Sequence, residues 1–213
     1  MNGFYYRAVP YHIMGLELDI PDPEQVRTAY ESGEKKDFPY WSRIWPSALA
    51  LSSLLQDQSQ LVSGKHVLEL GAGLGLPAFI SSSLATSVTV SDSASEAISW
   101  LNRNISRLGL TNVTTRLIDW KERPLPKADV VLLSDIGYDE KDFSDIRMMI
   151  GEYVHSGSLI LLSVPFRRIS PKFISLIDEF VSIRQVKNVM ETEILLLILG
   201  PTDFPSPLRI QNN

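Results

Sequence analysis

From Lys65 onward, apolar runs rich in Val, Ile and Leu alternate with longer segments whose apolar positions recur at helical spacing. The runs predict strands at His66–Leu70, Ser87–Ser91, Thr114–Ile118, Asp129–Ser134, Ser158–Val164, Val181–Lys187 and Glu193–Leu199. Helices are expected between them at Leu76–Leu84, Ala94–Leu108, Glu140–Val154 and Pro171–Phe180, with an amphipathic helix at Ser47–Gln56 ahead of the first strand. Runs this continuously apolar fit strands buried on both faces, as in a mostly parallel α/β sheet. Only Asn188–Thr192 joins the last two strands, too short a link for a parallel crossover, so that pair should be antiparallel.

The first 40 residues read differently. They are aromatic, carry prolines and the charged stretch Glu31–Asp37, and show no clear period. We expect residues 1–40 to form a helical or irregular cover over the sheet, with 41–213 as the core of a single domain. The serine-biased "SSSLATSVTVSDSAS" is no linker, because its Val88-Thr-Val90 alternation falls where a second strand belongs.

Composition narrows the function classes. A chain of 213 residues with 44% apolar and 21% charged residues can fill one core. A net charge of −5 gives no electrostatic reason to bind a nucleic-acid backbone. With no cysteine, disulfides, zinc–thiolate sites and thiol nucleophiles are excluded together. His12, His66 and His155 are scattered without ligand spacing, so no metal is expected. Residues Met1–Pro10 lack the pattern of a signal peptide, and the longest apolar run, Ile194–Leu199, is far short of a membrane span. A cytoplasmic location is the expectation.

The candidate chemistry begins at "LELGAGLGLPAFI", where three glycines fall within five residues between a strand and a helix. Such a turn presents unpaired backbone N–H groups, and glycine removes the Cβ that would keep a ligand away. The spacing Gly71-x-Gly73-x-Gly75 departs from the dinucleotide fingerprint, which argues against NAD, and no Lys-Ser/Thr pair follows to make a phosphate-binding P-loop. Asp92 stands 21 positions after Gly71, directly after the second strand, where a carboxylate can accept from both hydroxyls of a ribose. Taken alone, an aspartate in Ser91-Asp-Ser93 would as readily form a turn or cap a helix.

In this order "ELGAGLG", "VSDSAS", "LIDW" and "DIGYD" resemble the class I, seven-strand S-adenosylmethionine-dependent methyltransferases. "YWSRIWPSALALSSLL" together with Asp135-Ile-Gly-Tyr138 is similar to the branch with many protein-lysine methyltransferases. The resemblance implies a Rossmann-like, doubly wound sheet of seven strands with the last antiparallel, and S-adenosyl-L-methionine as cofactor. It implies that Glu69, Gly71, Gly73 and Gly75 wrap the cofactor, that Asp92 binds its ribose, and that Trp45 and Ser134 line its pocket. Asp119 would accept from the adenine amine while Trp120 packs beside the ring. Asp135 and Tyr138 would be catalytic, orienting a lysine amine. In such a sheet the chain reverses between its first and fourth strands, so the glycine loop and Asp135–Tyr138 should border one crevice. Two residues depart from the family pattern: Gly137, where an aliphatic residue is more frequent, and Ser91, where threonine is common.

Methylation of a protein lysine is thus the leading expectation. A small amine as acceptor, a cofactor-binding scaffold without catalysis, and NAD-dependent oxidoreduction stand as alternatives, since a fold alone does not choose a substrate.

Overall fold

A computed structural model describes residues 6–35, 38–136, 139–166 and 171–200. At its centre lies a seven-stranded sheet of β3 (His66–Leu70), β4 (Ser87–Asp92), β5 (Val113–Leu117), β6 (Val130–Ser134), β7 (Leu159–Pro165), β8 (Val181–Val189) and β9 (Thr192–Leu199), in the order β5-β4-β3-β6-β7-β9-β8. β3 pairs in parallel with both β4 and β6, whereas β9 is antiparallel to both β7 and β8. The chain therefore moves outward from β3 to β5, then returns to the other side of β3, opening a crevice at the carboxyl ends of β3 and β6. The predicted doubly wound topology and the antiparallel final pair are both present. A two-residue turn makes the last link tight, with Met190 and Glu191 both at positive φ.

Apolar side chains fill both faces of the sheet. One face packs α2 (Pro46–Asp57), α3 (Leu76–Ser81) and α4 (Ser95–Leu108) over Val67, Val88, Val90 and Leu132. The other packs α5 (Phe143–His155) and α6 (Pro171–Ile177) over Leu68, Leu70, Val131 and Leu133. This double burial is why these strands read as unbroken apolar runs. α3 stops at Ser81, short of the expected Leu84. Ser81 and Ser82 donate their hydroxyls to the carbonyls of Ala78 and Phe79, giving the backbone an alternative to a further helical turn.

The N-terminal region corrects the sequence reading. The helical part of the expected cover is α1 (Pro23–Glu31), but an antiparallel hairpin of β1 (Ala8–Ile13) and β2 (Leu16–Pro21) precedes it where irregular chain was expected. The hairpin turns at Met14-Gly15, both at positive φ, and the Asp22 side chain caps α1 by accepting from the Glu24 amide. This unit packs on α4. The Asn104 side chain bonds both the N–H and the carbonyl of Asp19, at 2.7 and 3.0 Å, and Arg103 pairs with the Asp19 carboxylate at 2.6 Å. From that anchor the chain reaches the crevice through Lys35, Phe38 and the short 3-10 turn Tyr40–Ser42.

Candidate active site

A cavity of about 700 Å³ occupies the crevice. Its walls bring together Gly71–Leu76 after β3, Asp92–Ala94 at the end of β4, Trp120 beyond β5, Ser134–Ile136 at the end of β6, and Phe38–Trp41 with Arg43–Trp45 from the segment before α2. The expectation that the glycine loop and Asp135 border one cleft holds among these residues.

Each of the three loop glycines answers a different steric demand. All lie at positive φ, a region that costs a side chain roughly 1–2 kcal/mol. A Cβ on Gly71 would meet nothing within 4 Å, so Gly71 leaves open space at the cavity wall. One on Gly73 would sit 3.1 Å from the Trp41 carbonyl oxygen, because the Tyr40–Ser42 turn lies directly over the loop. One on Gly75 would come within 2.5 Å of Leu101 Cδ2. Gly75 thus serves first to let α3 and α4 close on the sheet, a packing role beside its place in the cavity wall.

The loop's amides are largely occupied within the protein, contrary to the reading of a row of unpaired donors. Ala72 N–H donates to the Ser91 carbonyl and Gly75 N–H to that of Ala72, both at 2.9 Å. Gly73 N–H donates to Asp92 Oδ2 at 2.8 Å, while Asp92 Oδ1 accepts from Ala94 N–H at 2.9 Å. A loop whose central amide is already held by a carboxylate is a poor cradle for pyrophosphate. Asp92 therefore holds its own turn, the second of the roles considered for it, and also lines the cavity. Its burial pushes the carboxyl pKa up, against the pull of the amides it accepts.

Glu69 lies behind the loop and is fully buried. Its Oε2 accepts from Ala78 N–H at 2.8 Å, supporting the first turn of α3, and Oε1 has no hydrogen-bond partner among the described residues. Desolvation, aided by the nearby Asp92 charge, raises its pKa to about 8. Glu69 is not among the residues that line the cavity, so the structure places it as a support for the loop.

Beyond β5 the two residues of "LIDW" separate. Trp120 lines the cavity, with the Lys121 ammonium 5.3 Å from its ring centre. The Asp119 carboxylate accepts from Lys121 N–H at 2.9 Å and is absent from the lining. Trp45 also lines the cavity, its indole N–H donating to the Tyr40 carbonyl at 2.9 Å, which holds the ring in place. Past β6, Asp135 takes a left-handed conformation, φ 58°, and donates its amide to the Ser163 carbonyl at 2.8 Å. Non-glycine residues held there cost of order 1–3 kcal/mol, and aspartate is among the side chains that tolerate it best. Ser134 lines the wall beside it. Tyr138, the other expected catalytic residue, and Gly137 lie outside the described residues.

Several cavity residues were not singled out in the sequence: Lys35, Phe38, Trp41, Arg43 and Glu96. Lys35 and Glu96 pair at 3.0 Å across 61 residues, each pulling the other's pKa toward its charged form. Only the aromatic density of "PYWSRIWP" hinted that this segment would form a wall. Among the described residues the lining carries five carboxylates, Asp92, Glu96, Asp135, Asp139 and Asp142, against two cations, Lys35 and Arg43. No group of three or more potential metal ligands occurs among the described residues.

A family profile described as lysine methyltransferase matches residues 34–180, which contain all of this lining. The chain belongs to the lysine methyltransferase family. It is 31% identical over 127 residues to the human histone-arginine methyltransferase METTL23, a match covering 56% of this chain and 66% of that protein. It is 33% identical over 134 residues to the mouse electron transfer flavoprotein beta subunit lysine methyltransferase, covering 61% and 51%. The matches thus span about half to two-thirds of the relatives' own length. The fold is also that of an Aquifex aeolicus SAM-dependent methyltransferase structure, with a TM-score of 0.55 at 14% identity over 74% of this chain and 100% of that one. The family segment begins at residue 34, so the hairpin and α1 of this lysine methyltransferase family member precede it.

Proposed function

We propose that this protein transfers a methyl group from S-adenosylmethionine to the side-chain amine of a protein lysine. The observation that carries the proposal is the single cavity joining the glycine loop and Asp92 on one side to Asp135 on the other, within the matched family segment.

The residues present fit the cofactor. Gly71 leaves room at the wall where a Cβ would otherwise project, and the occupied amide of Gly73 suits a ligand with a ribose but no pyrophosphate. Asp92 would hold the ribose hydroxyls through the carboxylate lone pairs its two amides leave over, and Trp120 and Trp45 would pack against apolar parts of the ligand. When bound, S-adenosylmethionine supplies an electrophilic methyl group together with its own leaving group. The protein's task is to bring a neutral amine into line.

A lysine reaches the site as an ammonium. The Asp135 carboxylate attracts that cation, Asp139 and Asp142 being paired with Lys141 and Lys121 at 2.7 and 2.6 Å, and partial desolvation inside the cavity lowers the ammonium's pKa so that it releases a proton to solvent and exposes the lone pair. Asp135 then accepts a hydrogen bond from the amine and aims it. The same balance of charge disfavours a phosphate-rich acceptor.

The test is incubation with radiolabelled S-adenosylmethionine and cell lysate, followed by acid hydrolysis of the protein fraction. Label recovered as methyl-lysine is the expected result. Label confined to small molecules would refute a protein acceptor, and methyl-arginine alone would replace lysine by the residue type named for one of the relatives.

A further inference from the structure

Two cations line the cavity among the described residues, and they differ in one respect. Lys35 is paired with Glu96 at 3.0 Å. Arg43 forms no ion pair with any described residue, although five carboxylates share the cavity lining. Its guanidinium lies over the Phe38 ring, 5.0 Å from the centroid, and 6.0 Å from that of Trp45. Both rings line the same cavity, and the Trp45 ring is itself fixed by its bond to the Tyr40 carbonyl. An arginine stacked in this way is restrained before any ligand arrives, so it loses less side-chain entropy on making a bidentate contact.

The charges of the ligands decide what such a cation would meet. Resting on the proposed function, the acceptor lysine is cationic, and the cofactor carries a sulfonium and an ammonium. The single anionic group among all of these is the α-carboxylate of the cofactor's amino-acid end. Asp135 serves the cations, Asp139 and Asp142 being paired with Lys141 and Lys121, which leaves the guanidinium, without an ion pair among the described residues, to the carboxylate. We infer that Arg43, stacked on Phe38 and Trp45, is the carboxylate anchor of the cofactor site and selects ligands that carry an amino-acid end.

Calorimetry on the full chain tests this with three ligands: S-adenosylhomocysteine, its decarboxylated analogue, and 5′-methylthioadenosine, which lacks the amino-acid end altogether. The parent should prefer S-adenosylhomocysteine over the decarboxylated analogue by about tenfold or more, the range of a charge-assisted hydrogen-bonded pair. Arg43→Gln should erase most of that preference while binding methylthioadenosine within about twofold of the parent, and Arg43→Lys should restore part of it, keeping the charge but not the fork. The inference is overturned if Arg43→Gln keeps the parental preference, or if it weakens all three ligands equally, since the arginine would then act only through its aromatic wall. Failure of the parent to bind any of the three would instead remove the cofactor reading on which the inference stands.

Discussion

The carboxylate of Asp92, the last residue of β4, accepts the backbone N–H of Gly73 at 2.8 Å and so ties the second strand of the core to the loop after the first. Its other oxygen holds the Ala94 amide at 2.9 Å. Asparagine offers one acceptor oxygen where two amides need one each, and turns an N–H₂ toward the other. Asp92→Asn should therefore destabilise the fold by about 1–3 kcal/mol, the cost of leaving a buried donor unmatched, and weaken S-adenosylhomocysteine binding as well. Urea denaturation and calorimetry on one sample measure both. An unchanged stability would mean that the Gly73 contact contributes nothing.

The loop glycines should separate by role. Gly71→Ala and Gly75→Ala carry the same backbone penalty, but only the second drives a methyl group to 2.5 Å from Leu101 Cδ2. Gly75→Ala should be the less stable protein by about 1–3 kcal/mol, an overpacking cost. Gly71→Ala should lose only the backbone cost of about 1–2 kcal/mol yet bind the cofactor more weakly. Equal stabilities of the two variants would contradict this division.

Glu69 makes stability depend on pH in a direction that can be stated. Its pKa is raised from 4.5 to about 8 in the folded chain, so across that interval the folded protein retains a proton that the unfolded chain has released. The stability this group contributes is complete below the unfolded value and is lost as pH rises through about 8. Glu69→Gln keeps an acceptor for the Ala78 amide and cannot ionise. The parent's stability relative to the variant should fall from pH 5 toward pH 8 and level off above, as followed by denaturant titration. A difference that stays flat with pH would show that Glu69 is ionised throughout.

For the proposed adenine contact, Trp120 lines the cavity and Asp119 does not. Trp120→Ala should cost about 1 kcal/mol of S-adenosylhomocysteine affinity, the order of an aromatic contact, whereas Asp119 does not line the cavity and should matter less. An Asp119→Ala variant that loses more affinity than Trp120→Ala, and no longer distinguishes adenine from hypoxanthine analogues, would restore Asp119 as the reader of the exocyclic amine.

These assignments show which links between sequence and structure are local. The strands were legible because runs such as Val130–Leu133 are buried on both sides and carry no competing period. The final antiparallel pair followed from the length of one connection. The N-terminal hairpin was not legible: it turns on Met14-Gly15, with a methionine at φ 50° where turn signals favour asparagine or aspartate, and its stability comes from contacts such as Asp19–Asn104, 85 residues apart. Arg43 and the Lys35–Glu96 pair were hidden for the same reason, since their meaning arises only when the chain returns over the glycine loop.

Asp135 is proposed to serve methyl transfer more than cofactor binding, and its backbone geometry dictates the variant to use. At φ 58° alanine would add strain, while asparagine tolerates the left-handed region as aspartate does. Asp135→Asn removes the charge and keeps the turn. The decisive measurement sets label transferred to protein lysine beside S-adenosylhomocysteine affinity, for the parent and Asp135→Asn in the same preparation. Transfer should fall about a hundredfold or more, the scale of lost positioning of a reacting group, while affinity stays within about twofold. Transfer at the parental rate, or parallel losses in transfer and affinity, would contradict this role of Asp135.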